Sequence, residues 1–161
     1  MTNNTSLFFM IGISLLVAFW LSIVPMSVSW SLWRPAWVAV VVIYWVLYAP
    51  SVVGVFFAWM MGFLLDGFEG AIVGQHALAF AVVAYVTAGA GQRVRHFTLL
   101  QQIGFVLLMV TVAQLVSLWV VSFTDRPIQL SLWLSPVPGS ALVWLLLLGL
   151  ARPWIRQSHL V

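Results

Sequence analysis

Three side chains near the middle of this 161-residue chain carry most of its possible chemistry: Asp66, Glu69 and His76. Two carboxylates and an imidazole in one short stretch are the residue types of a metal site or of general acid–base work. Their spacing matches neither well. A helical metal motif of the His-Glu-x-x-His kind sets two imidazoles one turn apart, and here one stands alone. A hydrolytic triad needs a Ser or Thr nucleophile, a His base and an orienting acid. The histidines His76, His96 and His159 are scattered, and none is paired in sequence with both partners. The chain has no lysine to complete a phosphate loop and no cysteine for a thiolate site or a disulfide. The expectation is a protein with no catalytic residue, no metal and no cofactor.

The elements that must position these groups face hydrocarbon. Of all residues 64% are hydrophobic and 6% charged, and the mean hydropathy is +1.14. A soluble domain is about 45–50% apolar and about 25% charged. Nine formal charges cannot cover an aqueous surface of this size, so the composition predicts an all-α integral membrane protein. It excludes a soluble enzyme and a disulfide-built secreted domain. The pI of 10.2 is not a nucleic-acid signal. It arises from six arginines against Asp66, Glu69 and Asp125, scattered between apolar runs as topology signals are. The first run starts near Leu7 with no basic residue before it and leads into further spans, which predicts no cleaved leader.

The apolar runs predict a single domain, 1–161, with six spans at 7–24, 36–49, 51–66, 71–91, 101–122 and 137–151. The second and third come from one uncharged stretch, 36–65, with Pro50 in its middle. As one straight helix it would be about 45 Å long. Fitting about 30 Å of hydrocarbon would need a tilt of about 48°, beyond the usual range. A hairpin turning at Ala49-Pro50-Ser51 is preferred, with Tyr44, Trp45 and Tyr48 near the headgroups. With six spans and a cytoplasmic N-terminus, Arg93, Arg95, Arg152 and Arg156 lie inside and Arg34 and Arg126 outside. With five spans the balance is five to one, so charge bias alone does not choose. Both arrangements put the Arg93/Arg95 loop and the C-terminal tail in the cytoplasm and the three acids outside.

Small residues recur at every fourth position through Gly54, Ala58, Gly62, Asp66, Gly70 and Gly74. On a helix these share one face, and such a bare ridge admits a second backbone at close range. It reads either as packing inside the bundle or as a docking groove for a partner's transmembrane helix, and the two can coexist. Ala77, Ala81, Ala84 and Ala88 extend small residues along the next span. Asp66 lies in register with the glycines, and an Arg34–Asp66 pair would neutralise both charges at the membrane boundary. Gln75 and His76 are expected to act as intramembrane hydrogen-bonding glue. Alternating apolar and polar residues at 26–32 and 128–135 suggest extended or interfacial outer loops, anchored by Trp30, Trp33 and Trp133.

The order of Arg34-Pro35-Ala36-Trp37, Tyr44-Trp45, Ala49-Pro50, Gly62-Phe63-Leu64-Leu65-Asp66, Gly70 and Gly74-Gln75-His76-Ala77-Leu78 resembles the MreD family of rod shape-determining proteins. Arg93 to His96 and Gln101-Gln102 continue the likeness, which runs from Leu7 to the tail with Arg152 and Arg156. The resemblance implies a small bacterial inner-membrane protein of the cell-wall elongation machinery without catalytic activity. It implies association with MreC, in a complex with MreB filaments, RodA and a class B penicillin-binding transpeptidase. It also implies a six-helix bundle similar to the substrate-binding subunits of vitamin uptake (ECF) transporters. Fold likeness does not transfer function. It keeps open an alternative, in which an outward pocket near Asp66 and Arg34 holds a small ligand or a lipid.

Overall fold

The structure, a computed structural model, describes residues 2–24, 34–124 and 134–157, with side chains outside 2–4 and 150–157. Among the described residues six helices form the bundle: α1 (Thr2–Ile23), α2 (Trp37–Tyr48), α3 (Val55–Glu69), α4 (Gln75–Arg95), α5 (Leu99–Val121) and α6 (Pro136–Gln157). No strand occurs among the described residues, so the all-α expectation holds. Among the described residues three helical stretches are long and apolar enough to cross a membrane: Thr5–Ile23, Gln75–Arg95 and Leu99–Val121. The outward faces of α1, α3 and α5 carry large apolar side chains such as Phe9, Phe56 and Leu108, as a lipid-facing surface requires.

At the centre stands α2. Its sequence is apolar on every side, which is the pattern of a helix enclosed by others. Every residue from Val38 to Leu47 is buried, and α1, α4, α5 and α6 pack around it. Twelve residues rise only about 18 Å, so α2 is much shorter than the helices beside it. The stretch 36–65 does break at Pro50. Val52 and Val53 both donate to the Ala49 carbonyl, at 3.0 and 2.9 Å, and turn the chain into α3. The two arms are joined through α4, which packs against both.

Tyr44 and Trp45 depart from the headgroup placement expected of them. Both are buried among helices, where their rings pack against other side chains rather than at the interface. The Trp45 indole N–H donates to Ser14 Oγ at 2.8 Å, and the Tyr44 ring packs edge-on against Trp144. The α4 helix also runs one turn further than expected, so Arg93 and Arg95 belong to its last turn, where cations complement the helix dipole. In the next turn of chain, Gln102 Nε2 donates to the Val94 and Phe97 carbonyls at 3.3 Å and closes that helix end. The Gln101 side chain accepts the Thr98 N–H and opens α5.

Candidate functional site

Asp66 lies in the last turn of α3 and is 2% exposed. Its main-chain carbonyl accepts the N–H groups of Gly70 and Ala71 and ends the helix. Gly70 takes φ +61° and Gly74 φ +96°, left-handed conformations that favour glycine. Those two residues fold the short connection back so that α4 begins against the end of α3. The Asp66 carboxylate then lies across the start of α4. Oδ2 accepts from the Gly74 N–H at 2.9 Å, and Oδ1 from the His76 N–H at 2.8 Å. A longer bond, 3.4 Å, joins the Ala77 N–H to Oδ2. The first amides of a helix have no partner within it, and their positive end favours an anion. Asp66 is therefore an N-cap supplied by the preceding helix.

Gly62, one turn before Asp66, completes this joint. A methyl group there would collide with the His76 carbonyl oxygen and lie 2.6 Å from Ala77 Cα. The bare backbone of α3 thus carries the first turn of α4 at the height that brings its amides to the carboxylate. Ala58 and Ala77 are fully buried along the same contact. Of the two readings of the Gly54–Gly74 ridge, packing inside the bundle is what Ala58, Gly62 and Asp66 do, and the ridge is not one continuous helical face. The helical part ends at Glu69, Gly70 and Gly74 serve the turn, and the groove at Ala58, Gly62 and Asp66 is filled by this chain's own α4. Gly54 sits just before α3 with open space beside it.

The expected Arg34–Asp66 pair is also corrected. Arg34 Nη2 lies 3.8 Å from Glu69 Oε1, whereas both Asp66 oxygens are taken by α4. His76 links the two acids. Its Nδ1 is 2.9 Å from Asp66 Oδ1 and its Nε2 is 3.9 Å from Glu69 Oε2. With Asp66 accepting, the proton on that side of the ring belongs to Nδ1. Gln75 is buried beside it. Among the described residues no three His, Asp or Glu side chains are arranged to hold a metal ion.

Arg34, Glu69 and His76 border a cavity of about 380 Å³. All six helices contribute: Ser22 from the end of α1, Trp37 to Ala39 from the start of α2, and Leu65 and Glu69 from the end of α3. His76 and Phe80 come from the start of α4, Ala113, Gln114 and Ser117 from α5, and Pro136 from the start of α6. Helices α1, α3 and α5 end here, and α2, α4 and α6 begin here, so successive helices alternate in direction. The short α2 leaves room above its first turn, which forms the cavity floor. Ser22, Gln114 and Ser117 were not singled out from sequence, and Trp37 entered only as part of the Arg34–Trp37 motif. Gln114 and Ser117, three apart in an otherwise apolar span, are the signal that marks this polar face.

The alternating segments, the anchoring Trp30, Trp33 and Trp133, and Asp125 with Arg126 lie outside the described residues. Arg93 is exposed at the opposite end of α4 from the cavity.

A family model described as rod shape-determining protein MreD matches residues 3–152. Rod shape-determining protein MreD of Haemophilus influenzae is 29% identical over 139 residues, covering 86% of this chain and 81% of that relative. No solved structure matches.

Proposed function

We propose that this chain, which belongs to the MreD family of rod shape-determining proteins, is a non-enzymatic inner-membrane scaffold that binds MreC within the cell-wall elongation complex. The observation that carries this reading is the family match from residue 3 to residue 152, nearly the whole chain. In it the Arg34 end faces outward, and both termini and the Arg93/Arg95 end face the cytoplasm. MreB, RodA and the class B penicillin-binding transpeptidase are further members of the assembly, with membrane lipid around it.

Because α4 fills the groove on α3, MreC docks on a face that remains open. The opposite side of α3 supports this, since Phe56, Trp59 and Phe63 stack in a row with centroids 5.9 and 5.7 Å apart. Large aromatic surface is the usual anchor of an interface. The test is photo-cross-linking in cells expressing MreC, with the reactive group placed in turn at Trp20, Phe63, Tyr85 and Leu108. A cross-link to MreC from Phe63 and none from Leu108 is expected. Well-inserted protein that gives no MreC product from any position, and no co-purification, would overturn the reading.

The cavity favours a second reading, an outward-facing subunit that holds a small molecule, as the likeness to vitamin-uptake subunits suggests. A pocket of a few hundred cubic ångströms with convergent polar groups is what such a subunit needs.

A further inference from the structure

The cavity wall holds hydrogen-bonding capacity that the protein leaves unused. Ser117 is 1% exposed and Ser22 6%, and neither hydroxyl has a partner among the described residues. The Trp37 indole N–H is enclosed and without an acceptor. Gln114 adds a half-buried amide, also without a partner there. Buried polar groups are satisfied by something in nearly all native proteins. Among the described residues Ser22, Ser117 and Gln114 thus open three unpartnered polar groups onto one cavity, which suits a molecule bearing both donors and acceptors.

The charges narrow the class. Arg34 and Glu69 both border the cavity, about a third exposed, and stand 3.8 Å apart rather than closed in a short forked pair. Asp66 contributes no free charge, since its oxygens are held by α4 and His76. Among the described residues the wall thus offers one cation and one anion with no excess of either. A diphosphate would meet Glu69 uncompensated, and a simple cation would meet Arg34. A few ångströms is also the spacing between ammonium and acid in an α-amino acid or a 2-aminoethyl phosphate. Leu65, Phe80 and Ala113 give the same cavity an apolar wall.

We propose that this cavity binds a zwitterionic head group, its acid on Arg34 and its ammonium on Glu69, with an attached apolar part over Phe80. This rests on the second reading above and names its ligand class. The same chemistry is available from a free amino acid with an apolar side chain or from the head group of phosphatidylethanolamine.

The test uses the full chain in nanodiscs of phosphatidylglycerol alone. Free L-phenylalanine and glycerophosphoethanolamine are titrated as zwitterions, with glycerol phosphate and ethanolamine as the two halves. A parallel set of nanodiscs contains phosphatidylethanolamine, and binding is followed by unfolding midpoint and native mass spectrometry. A zwitterion bound more tightly than either half is expected, with loss of roughly tenfold in affinity in Arg34→Gln and in Glu69→Gln. Response to a soluble probe identifies a free ligand, and retention of phosphatidylethanolamine alone identifies the lipid. Ser117→Ala is expected to weaken binding while leaving the empty protein's unfolding midpoint unchanged or higher, which separates a ligand contact from a structural one. Equal binding of glycerol phosphate alone, or no effect of either charge variant, overturns the zwitterion. An uncharged molecule found in the cavity also overturns it while the second reading stands. If no probe binds the wild type and no molecule is retained by it, both fall.

Discussion

The Asp66 carboxylate, at the end of one helix, accepts the amide of His76 at the start of the next, 2.8 Å away. The imidazole of the same residue closes on the same oxygen at 2.9 Å. One side chain therefore ends α3 through its main chain and begins α4 through its carboxylate.

Removing that carboxylate should loosen the joint. Asp66→Ala is expected to lower stability by about 2–4 kcal/mol, because it deletes a cap and strands buried N–H donors. Asp66→Asn keeps one acceptor oxygen and should lose about half as much. Thermal unfolding in detergent measures the first effect, and hydrogen exchange at His76 and Ala77 locates it. Unchanged exchange at those two amides in Asp66→Ala would count against the cap.

Two glycines on α3 should respond in opposite directions. Gly62→Ala forces the backbones of α3 and α4 apart and is expected to cost about 1–3 kcal/mol. Gly67→Ala meets open space and gains helix propensity, so it should be neutral or stabilising by up to about 1 kcal/mol. Comparable unfolding midpoints for the two variants would contradict the close approach at Gly62.

The ion pair at the cavity should show itself by exchange. Arg34 and Glu69 are each partly exposed, so either neutralisation should change stability by less than about 1 kcal/mol. Like charges introduced by Arg34→Glu or Glu69→Arg should impair cell shape, and the double swap should restore it. The corresponding swap of Arg34 with Asp66 should give no rescue, because it destroys the cap. Rod morphology in a strain depleted of the native protein is the measurement, and rescue by the Asp66 swap instead would refute the pairing.

Much of the architecture was legible in the chain because hydrocarbon leaves few options. Uncharged runs between arginines marked the helices, and Pro50 marked the break. The Gly62/Asp66 register correctly signalled a place where backbones meet, but periodicity says that a bare face exists and not which helix covers it. Gly70 and Gly74 kept the same four-residue spacing while adopting left-handed turns, and the spacing cannot distinguish a helical glycine from a turn glycine. Arg34 was assigned to the wrong acid for a related reason. Asp66 and Glu69 are three apart, and only the path of α4 decides which carboxylate is consumed and which stays free. Tyr44 and Trp45 misled because the rings that anchor a span at the water boundary serve equally well in a core that offers Ser14 as an acceptor.

The shortness of α2 bears on how the molecule is made. A twelve-residue segment is too brief to be taken for a spanning helix on its own merits during synthesis. Beyond the cavity at its first turn, the described contacts of α2 are with neighbouring helices, so its place in the bundle depends on them: Trp45 is held by Ser14 of α1 and Tyr44 packs on Trp144 of α6.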